Sequence, residues 1–193
     1  QGCTWVYVGF ESINPSSLRE RHKGQCVEEI RRSVRVLHDN RIRIHGMFMF
    51  GSDAETPEVF KQTASFVRAC HMDTAQFNIL TPLPGTSLFR RMVAQRRLLH
   101  KNWRYFDGLH VVFRPKRMSP AELQRGMISC SEDFYTYTAA FAEALATLVD
   151  IAGAALYRLR GARRPSRSPE GALVRLVART TAKRWVKQNI PYV

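Results

Sequence analysis

Three observations predict an α/β fold built on parallel strands. Three short segments rich in aromatic and β-branched residues alternate with amphipathic segments, in the order strand, helix, strand, helix, strand, helix. The middle strand alternates Ile42, Ile44, Gly46, Phe48 and Phe50 with Arg43, His45, Met47 and Met49, and its second face turns apolar towards the end. That pattern suits a strand whose far end is covered on both sides, in a sheet flanked by helices and joined by right-handed crossovers. Finally, all three strands run into unusual loops: GFES, FGSDAET and LTPLPGT. Parallel topology sets such loops side by side on one rim, where α/β folds place ligand sites.

The elements follow in order. Trp5 to Phe10 is the first strand, leading into Glu11-Ser12, and Asn14-Pro15 starts a short helical turn. Val27, Ile30, Val34 and Leu37 recur at intervals of three and four, the stripe of a surface helix that Asp39-Asn40 ends. Gly51 closes the middle strand, and Thr56-Pro57-Glu58 reads as an N-cap, a first-turn proline and an early carboxylate. The helix that follows points Phe60, Ala64 and Val67 inward. Thr74 to Leu80 is the third strand, closed by the bent loop Thr81-Pro82-Leu83-Pro84-Gly85. A further helix takes Leu88, Phe89, Met92 and Val93 inward.

Beyond these units, the aromatic stretch Asn102 to Arg114 crosses or edges the sheet. Ser119-Pro120-Ala121-Glu122 is a capping box, and its helix carries the stripe Leu123, Met127, Cys130, Phe134 and Tyr137. A weakly amphipathic helix over 139–160, a basic linker over 161–169 and a basic helix over 170–193 complete the chain. The predicted division is therefore 1–117 for the α/β part, 118–160 for a helical extension, and 161–169 and 170–193 for linker and tail.

Charge is unevenly placed. Residues 158–193 hold ten Lys or Arg against Glu170 alone, a net of +9 out of the formal +14. Cys3, Cys26, Cys70 and Cys130 are never closer than 23 positions, so no pair has metal-ligand spacing and nothing suggests a disulfide framework. Scattered thiols of this kind fit a reducing cytoplasm. No apolar run reaches the roughly 20 residues of a spanning helix, and no signal peptide is visible. The chain opens at Gln1 directly into strand-like sequence, as an internal start would.

GFES, FMFGSDAET and the LTPLPGT after QFNI together resemble the fourth, fifth and sixth strand ends of radical S-adenosylmethionine enzymes. Lys23-Gly24-Gln25, the DGLHVVFRP of Asp107 to Pro115 and the MSPAEL of Met118 to Leu123 are similar to the branch that often carries a cobalamin-binding domain upstream. The resemblance covers about residues 4 to 137 and implies the carboxyl-terminal half of a partial (β/α)6 TIM-like barrel. In that family a [4Fe-4S] cluster reductively cleaves S-adenosylmethionine, and the 5′-deoxyadenosyl radical attacks an unreactive C–H bond, in this branch with cobalamin-dependent methylation as one outcome. The resemblance places Glu11 and Ser12 near the ribose and methionine end of the cofactor, Gly46, Met49 and Gly51 against adenine, and Thr81, Pro82 and Leu83 at its border.

Residue chemistry agrees in kind. A carboxylate accepts two ribose hydroxyls or pairs with the methionine amino group, and glycine admits a flat ring close to the backbone. The cluster-binding CxxxCxxC and the GGE-type element are absent, so the cluster ligands are not in this chain. As given, the chain is expected neither to bind the cluster nor to catalyse, and to expose a sheet edge that further strands would cover. The resemblance also implies a small-molecule or lipid-like substrate, a reductant such as flavodoxin or ferredoxin, and a cytoplasmic location.

Plainer readings stand beside these. Glu11 also suits a capping carboxylate, and Gly46 and Gly51 also suit a bulge and a turn. His45 and His110 lack partners at ligand spacing and read as structural. Asp53 and Glu55 form a pair of carboxylates beside a helix start, where capping is the simpler account. The basic tail suits a solvated extension, an interfacial helix on an anionic membrane, or nucleic-acid contact without a recognised reader motif. A non-catalytic basic α/β module that binds nucleic acid or anionic lipid is the alternative function.

Overall fold

A computed structural model describes residues 2–21, 23–136 and Val177. The helices expected over 139–160 and 170–193, the linker between them, and Tyr137 lie outside the described residues. The strands β1 (Trp5–Glu11), β2 (Arg43–Phe50) and β3 (Thr74–Ile79) form one parallel sheet in the order β1-β2-β3. Helices α1 (Pro15–Glu20) and α2 (Val27–Asp39) connect β1 to β2, and α3 (Glu58–Ala69) connects β2 to β3. After β3 come α4 (Ser87–Ala94), a 3₁₀ turn at Trp103–Tyr105 and α5 (Pro120–Phe134). This is the predicted α/β class, with three successive parallel units as in part of a barrel.

One face of the sheet carries the core. Phe10, Ile44, Phe48, Phe50, Phe77 and Ile79 are buried there with Ile30 and Val34 of α2, Ala64 and Val67 of α3, and Leu123, Met127 and Phe134 of α5. A run of rings ties the strands together: Phe10–Phe48 at 5.8 Å, Phe48–Phe77 at 5.9 Å and Phe77–Phe134 at 6.0 Å between centroids. Such pairs contribute about 0.5–1.5 kcal/mol each beyond area burial. The β2 burial pattern is strictly alternating, so the expected apolar face is correct. The opposite face is not covered as expected, because Arg43, His45, Met47 and Met49 are only partly buried. Together with the exposed Tyr7 and Gln76 it forms an open surface, as the lumen side of a barrel strand does.

The two sheet edges differ. Tyr135 closes the outer edge of β3, accepting the Ala75 N–H through its hydroxyl oxygen and donating back to the Ala75 carbonyl. The Ile79 N–H donates to Gly108 O at 2.7 Å, so the stretch 102–114 does edge the sheet without becoming a strand. Side-chain and loop groups thus supply what a further strand would. β1 forms the other edge and pairs with β2 alone among the described residues.

Helix termini follow local chemistry with one correction. Asn14 caps α1, and Ser119 with Glu122 forms the predicted capping box of α5. Cys26 and Glu29 form another at α2, where the sequence showed no Ser, Thr, Asp or Asn. At α3 the N-cap is Pro57, without a side-chain cap, and not Thr56. Pro57 sits at φ −56°, a helical value that its ring favours, and no side chain caps the free N–H groups of the first turn. At α4 only Met92 is fully buried, whereas Val93 is 43% exposed. Phe89 turns to the Trp103 ring at 6.1 Å, away from the sheet.

Gly126 marks the closest approach of α5 and α3. A Cβ there would strike the ring of Phe60. Alanine gains about 1 kcal/mol of helix propensity, but overpacking costs about 1–3 kcal/mol. Gly126→Ala is therefore expected to lower the thermal midpoint, measured by circular dichroism; an unchanged or raised midpoint would refute the close α3–α5 packing.

Candidate functional site

The rim is built from three loops that the fold links directly. At the end of β1 the register slips between Gly9 and Glu11, and Glu11 takes a left-handed φ of 67°. This conformation is costly for a residue other than glycine, by about 1–3 kcal/mol. It turns the carboxylate back over Gly9, where a Cβ would meet Glu11 Oε1 at 2.8 Å. Arg21 Nη1 lies 3.6 Å from Glu11 Oε2, and Lys23 Nζ lies 3.7 Å from Oε1. Gln25 Nε2 donates to Phe10 O at 2.9 Å and Lys23 Nζ to Gly9 O at 3.4 Å, so Lys23-Gly24-Gln25 braces the backbone of GFES.

Glu55 organises the second loop. It is fully buried; Oε2 accepts the Gly51 N–H at 2.8 Å and the Ser52 N–H at 3.1 Å, while Oε1 accepts the Ser12 hydroxyl at 3.0 Å. Gly51, at φ 103°, leaves no room for a side chain against Phe113 and Leu123. Asp53 pairs with Arg97 at 2.7 Å and Lys116 at 2.9 Å, and Arg97 also donates to Arg114 O. Neither acid caps α3, contrary to the simpler expectation. Both instead fasten the loop, Glu55 to the end of β1 and Asp53 to the stretch after α4.

The third loop joins the second where the Leu80 N–H donates to Phe50 O at 2.8 Å. Thr81 Oγ1 donates to Ile79 O, Pro82 is buried, and Leu83 is half exposed with its carbonyl accepting the Thr86 hydroxyl.

The candidate residues thus divide by position. Glu11, Ser12, Gly51, Thr81, Pro82 and Leu83 lie at the rim. Met49 sits on the open face just below it, and its carbonyl accepts from Arg21 Nη2 at 3.1 Å. Gly46 lies mid-strand on the covered face, where a Cβ would meet Met72 Sδ at 2.7 Å, so core packing accounts for this glycine. The Ser12 hydroxyl donates to Glu55 and accepts from the Asn14 N–H, which makes it a loop brace.

The histidines have local partners. His45 Nδ1 is 2.7 Å from Thr74 Oγ1, and the Tyr7 ring lies 4.7 Å away. Burial holds the His45 pKa below its ordinary value, against an opposing hydrogen bond with Gln76. His110 pairs with Asp107 at 2.9 Å inside a turn whose N–H groups Asp107 also accepts. Sequence reading missed Arg21 altogether, because a basic residue at a helix end carries no signal for a partner 28 positions away.

Among the described residues, no group of three or more His, Cys, Asp or Glu is placed to hold a metal ion. Cys3 and Cys26 are exposed and far apart in sequence, while burial pushes up the thiols of Cys70 and Cys130. The residues present therefore do not fit an iron–sulfur cluster. No described helix is long and apolar enough to cross a membrane.

No protein-family model matches the chain. Curated proteins do. The bacteriochlorophyllide d C-12(1)-methyltransferase of Chlorobaculum tepidum is 33% identical over 135 residues, 69% of this chain and 29% of that protein. The anaerobic magnesium-protoporphyrin IX monomethyl ester cyclase of Cereibacter sphaeroides is 25% identical over 140 residues, 72% of this chain and 22% of that protein. The chain is related to the radical S-adenosylmethionine enzymes. The hopanoid C-2 methylase of Rhodopseudomonas palustris is 29% identical over 99 residues, 51% of this chain and 19% of that protein. The chain spans less than a third of the length of these radical S-adenosylmethionine relatives.

Two outcomes test the rim. Glu55→Ala strips the acceptor from two buried N–H groups and one hydroxyl, and is expected to cost about 3 kcal/mol in denaturant unfolding. For Asp53, burial alone would raise the carboxyl pKa, but Arg97 and Lys116 together hold it below the usual carboxylate range. Its folded pKa is depressed, so the stabilisation is present above about pH 4, the unfolded value, and disappears as pH falls through the folded value. Asp53→Asn should therefore be less stable than the parent at pH 7, and the difference should vanish as pH falls through the depressed folded value.

Proposed function

We propose that this chain supplies the S-adenosylmethionine-facing strand ends of a radical enzyme that acts on an unreactive carbon, with methyl transfer as the favoured outcome. The observation that carries this reading is the carboxylate of Glu11. It stands at the rim beside two cations, yet no described residue donates it a hydrogen bond, since both contacts exceed hydrogen-bond length. Its lone pairs are free for the ribose hydroxyls or the ammonium group of the cofactor. Glu55 and Ser12, bonded to each other through their side chains, shape the loops beside it.

Bound S-adenosylmethionine would supply the radical precursor of the family's chemistry. This chain's part is to bind and orient it. Glu11 takes the polar end, Gly51 and Ser52 border it through the backbone, and Thr81 to Leu83 flank adenine, with Leu83 covering its apolar edge. The [4Fe-4S] cluster and cobalamin are assigned to other parts of the protein, and no residue here is given a role toward either. The substrate is proposed to be a large, largely apolar small molecule, as the names of the tetrapyrrole and hopanoid relatives suggest. A flavodoxin- or ferredoxin-like reductant, a cytoplasmic location and peripheral membrane contact through the basic tail belong to the same reading.

The test uses the full-length protein. Equilibrium dialysis with S-adenosylmethionine should show Glu11→Ala binding about tenfold more weakly, the worth of a lost charged hydrogen bond. Affinity equal to that of the parent would remove Glu11 from the site.

A further inference from the structure

Resting on that reading of Glu11, we propose that Arg21 is a positioning residue that aims the Glu11 carboxylate across the open end of the sheet, in the space that Gly9 leaves for it. Arg21 is the C-cap residue of α1, and its side chain is 14% exposed. Its guanidinium reaches two strand ends at once. Nη2 donates to the Met49 carbonyl of β2 at 3.1 Å, while Nη1 faces the carboxylate of Glu11 on β1 at 3.6 Å. The donor bond to Met49 O fixes the plane of the guanidinium and so sets its charge opposite Glu11, whereas a lysine ammonium has no second arm to be fixed by.

Lys23 is the weaker partner, with a side chain 40% exposed, and solvent screens much of its attraction. The Glu11 backbone is left-handed, so its side chain leaves in a direction that an ordinary strand residue would not use. Gly9 lies directly beneath the carboxylate. The arrangement orients Glu11 by charge and leaves its hydrogen-bonding capacity unspent, whereas three protein donors already engage the carboxylate of Glu55.

A double-mutant cycle in the full-length protein tests this, with S-adenosylmethionine as the probe, its dissociation constant measured by equilibrium dialysis, and thermal midpoints recorded in parallel. Glu11→Gln and Arg21→Met are each expected to weaken binding about tenfold, and the double variant no more than Glu11→Gln alone. Arg21→Lys, which keeps the charge and loses the fork, should fall between parent and Arg21→Met. Gly9→Ala should weaken binding with its thermal midpoint unchanged or raised, because the clash is with the movable end of Glu11. A purely structural Arg21 would give additive losses in the cycle, and additivity overturns the proposal. So does parental affinity in Arg21→Met or Gly9→Ala. If Arg21→Met does not fold, Arg21→Lys replaces it in the cycle with the same criterion. Parental affinity in Glu11→Gln would instead overturn the underlying reading of Glu11, and the proposal with it.

Discussion

The buried carboxylate of Glu55 is the constraint on which the rim depends. Two strand ends in a parallel sheet have no ladder to hold their loops together, since pairing stops where the chains turn away. Glu55 replaces it. Its two oxygens collect the N–H groups of Gly51 and Ser52 and the hydroxyl of Ser12, so the exits of β1 and β2 are joined through one side chain. The Leu80 N–H on Phe50 O extends the link to β3. A charge taken wholly out of water is stable only when its lone pairs are so occupied, and this requirement turns the carboxylate into a determinant of loop shape.

The same economy separates the two faces of the sheet. Phenylalanines on the covered face interlock with three helices and supply the apolar burial that keeps the strands together. The opposite face carries His45, Met47, Met49, Gln76 and Asn78, polar or polarisable side chains that tolerate partial exposure. A sheet covered on one side and open on the other has two faces of different character, and the rim loops lie at its carboxyl end. At the β3 edge, Tyr135 and Gly108 satisfy backbone groups that a neighbouring strand would otherwise take.

Much of the fold was legible because its causes are local. Period-two alternation at Ile44, Gly46, Phe48 and Phe50 declared β2 and its buried face, and Ser119 to Glu122 declared the start of α5. The failures were tertiary. Nothing near Thr56 signals that Pro57 would take the cap position, and nothing near Phe89 points to Trp103, which lies 14 positions on. At Gly46, the space a side chain would fill is taken by Met72, a packing contact from a distant segment that local sequence does not announce.

The sequence by itself determined the order of elements, the parallel class and the three loops that mark the family. Those features rest on spacing, capping and turn chemistry within a few residues. Only the tertiary structure decided which polar groups at the rim are spent and which are free. Glu11 and Glu55 are the same residue type at neighbouring loops, and one-dimensional reading cannot rank them. Three donors converge on Glu55, whereas among the described residues Glu11 meets two cations, both beyond hydrogen-bond range. Those partners come from segments far apart in the chain, so the difference exists only once the strands are paired.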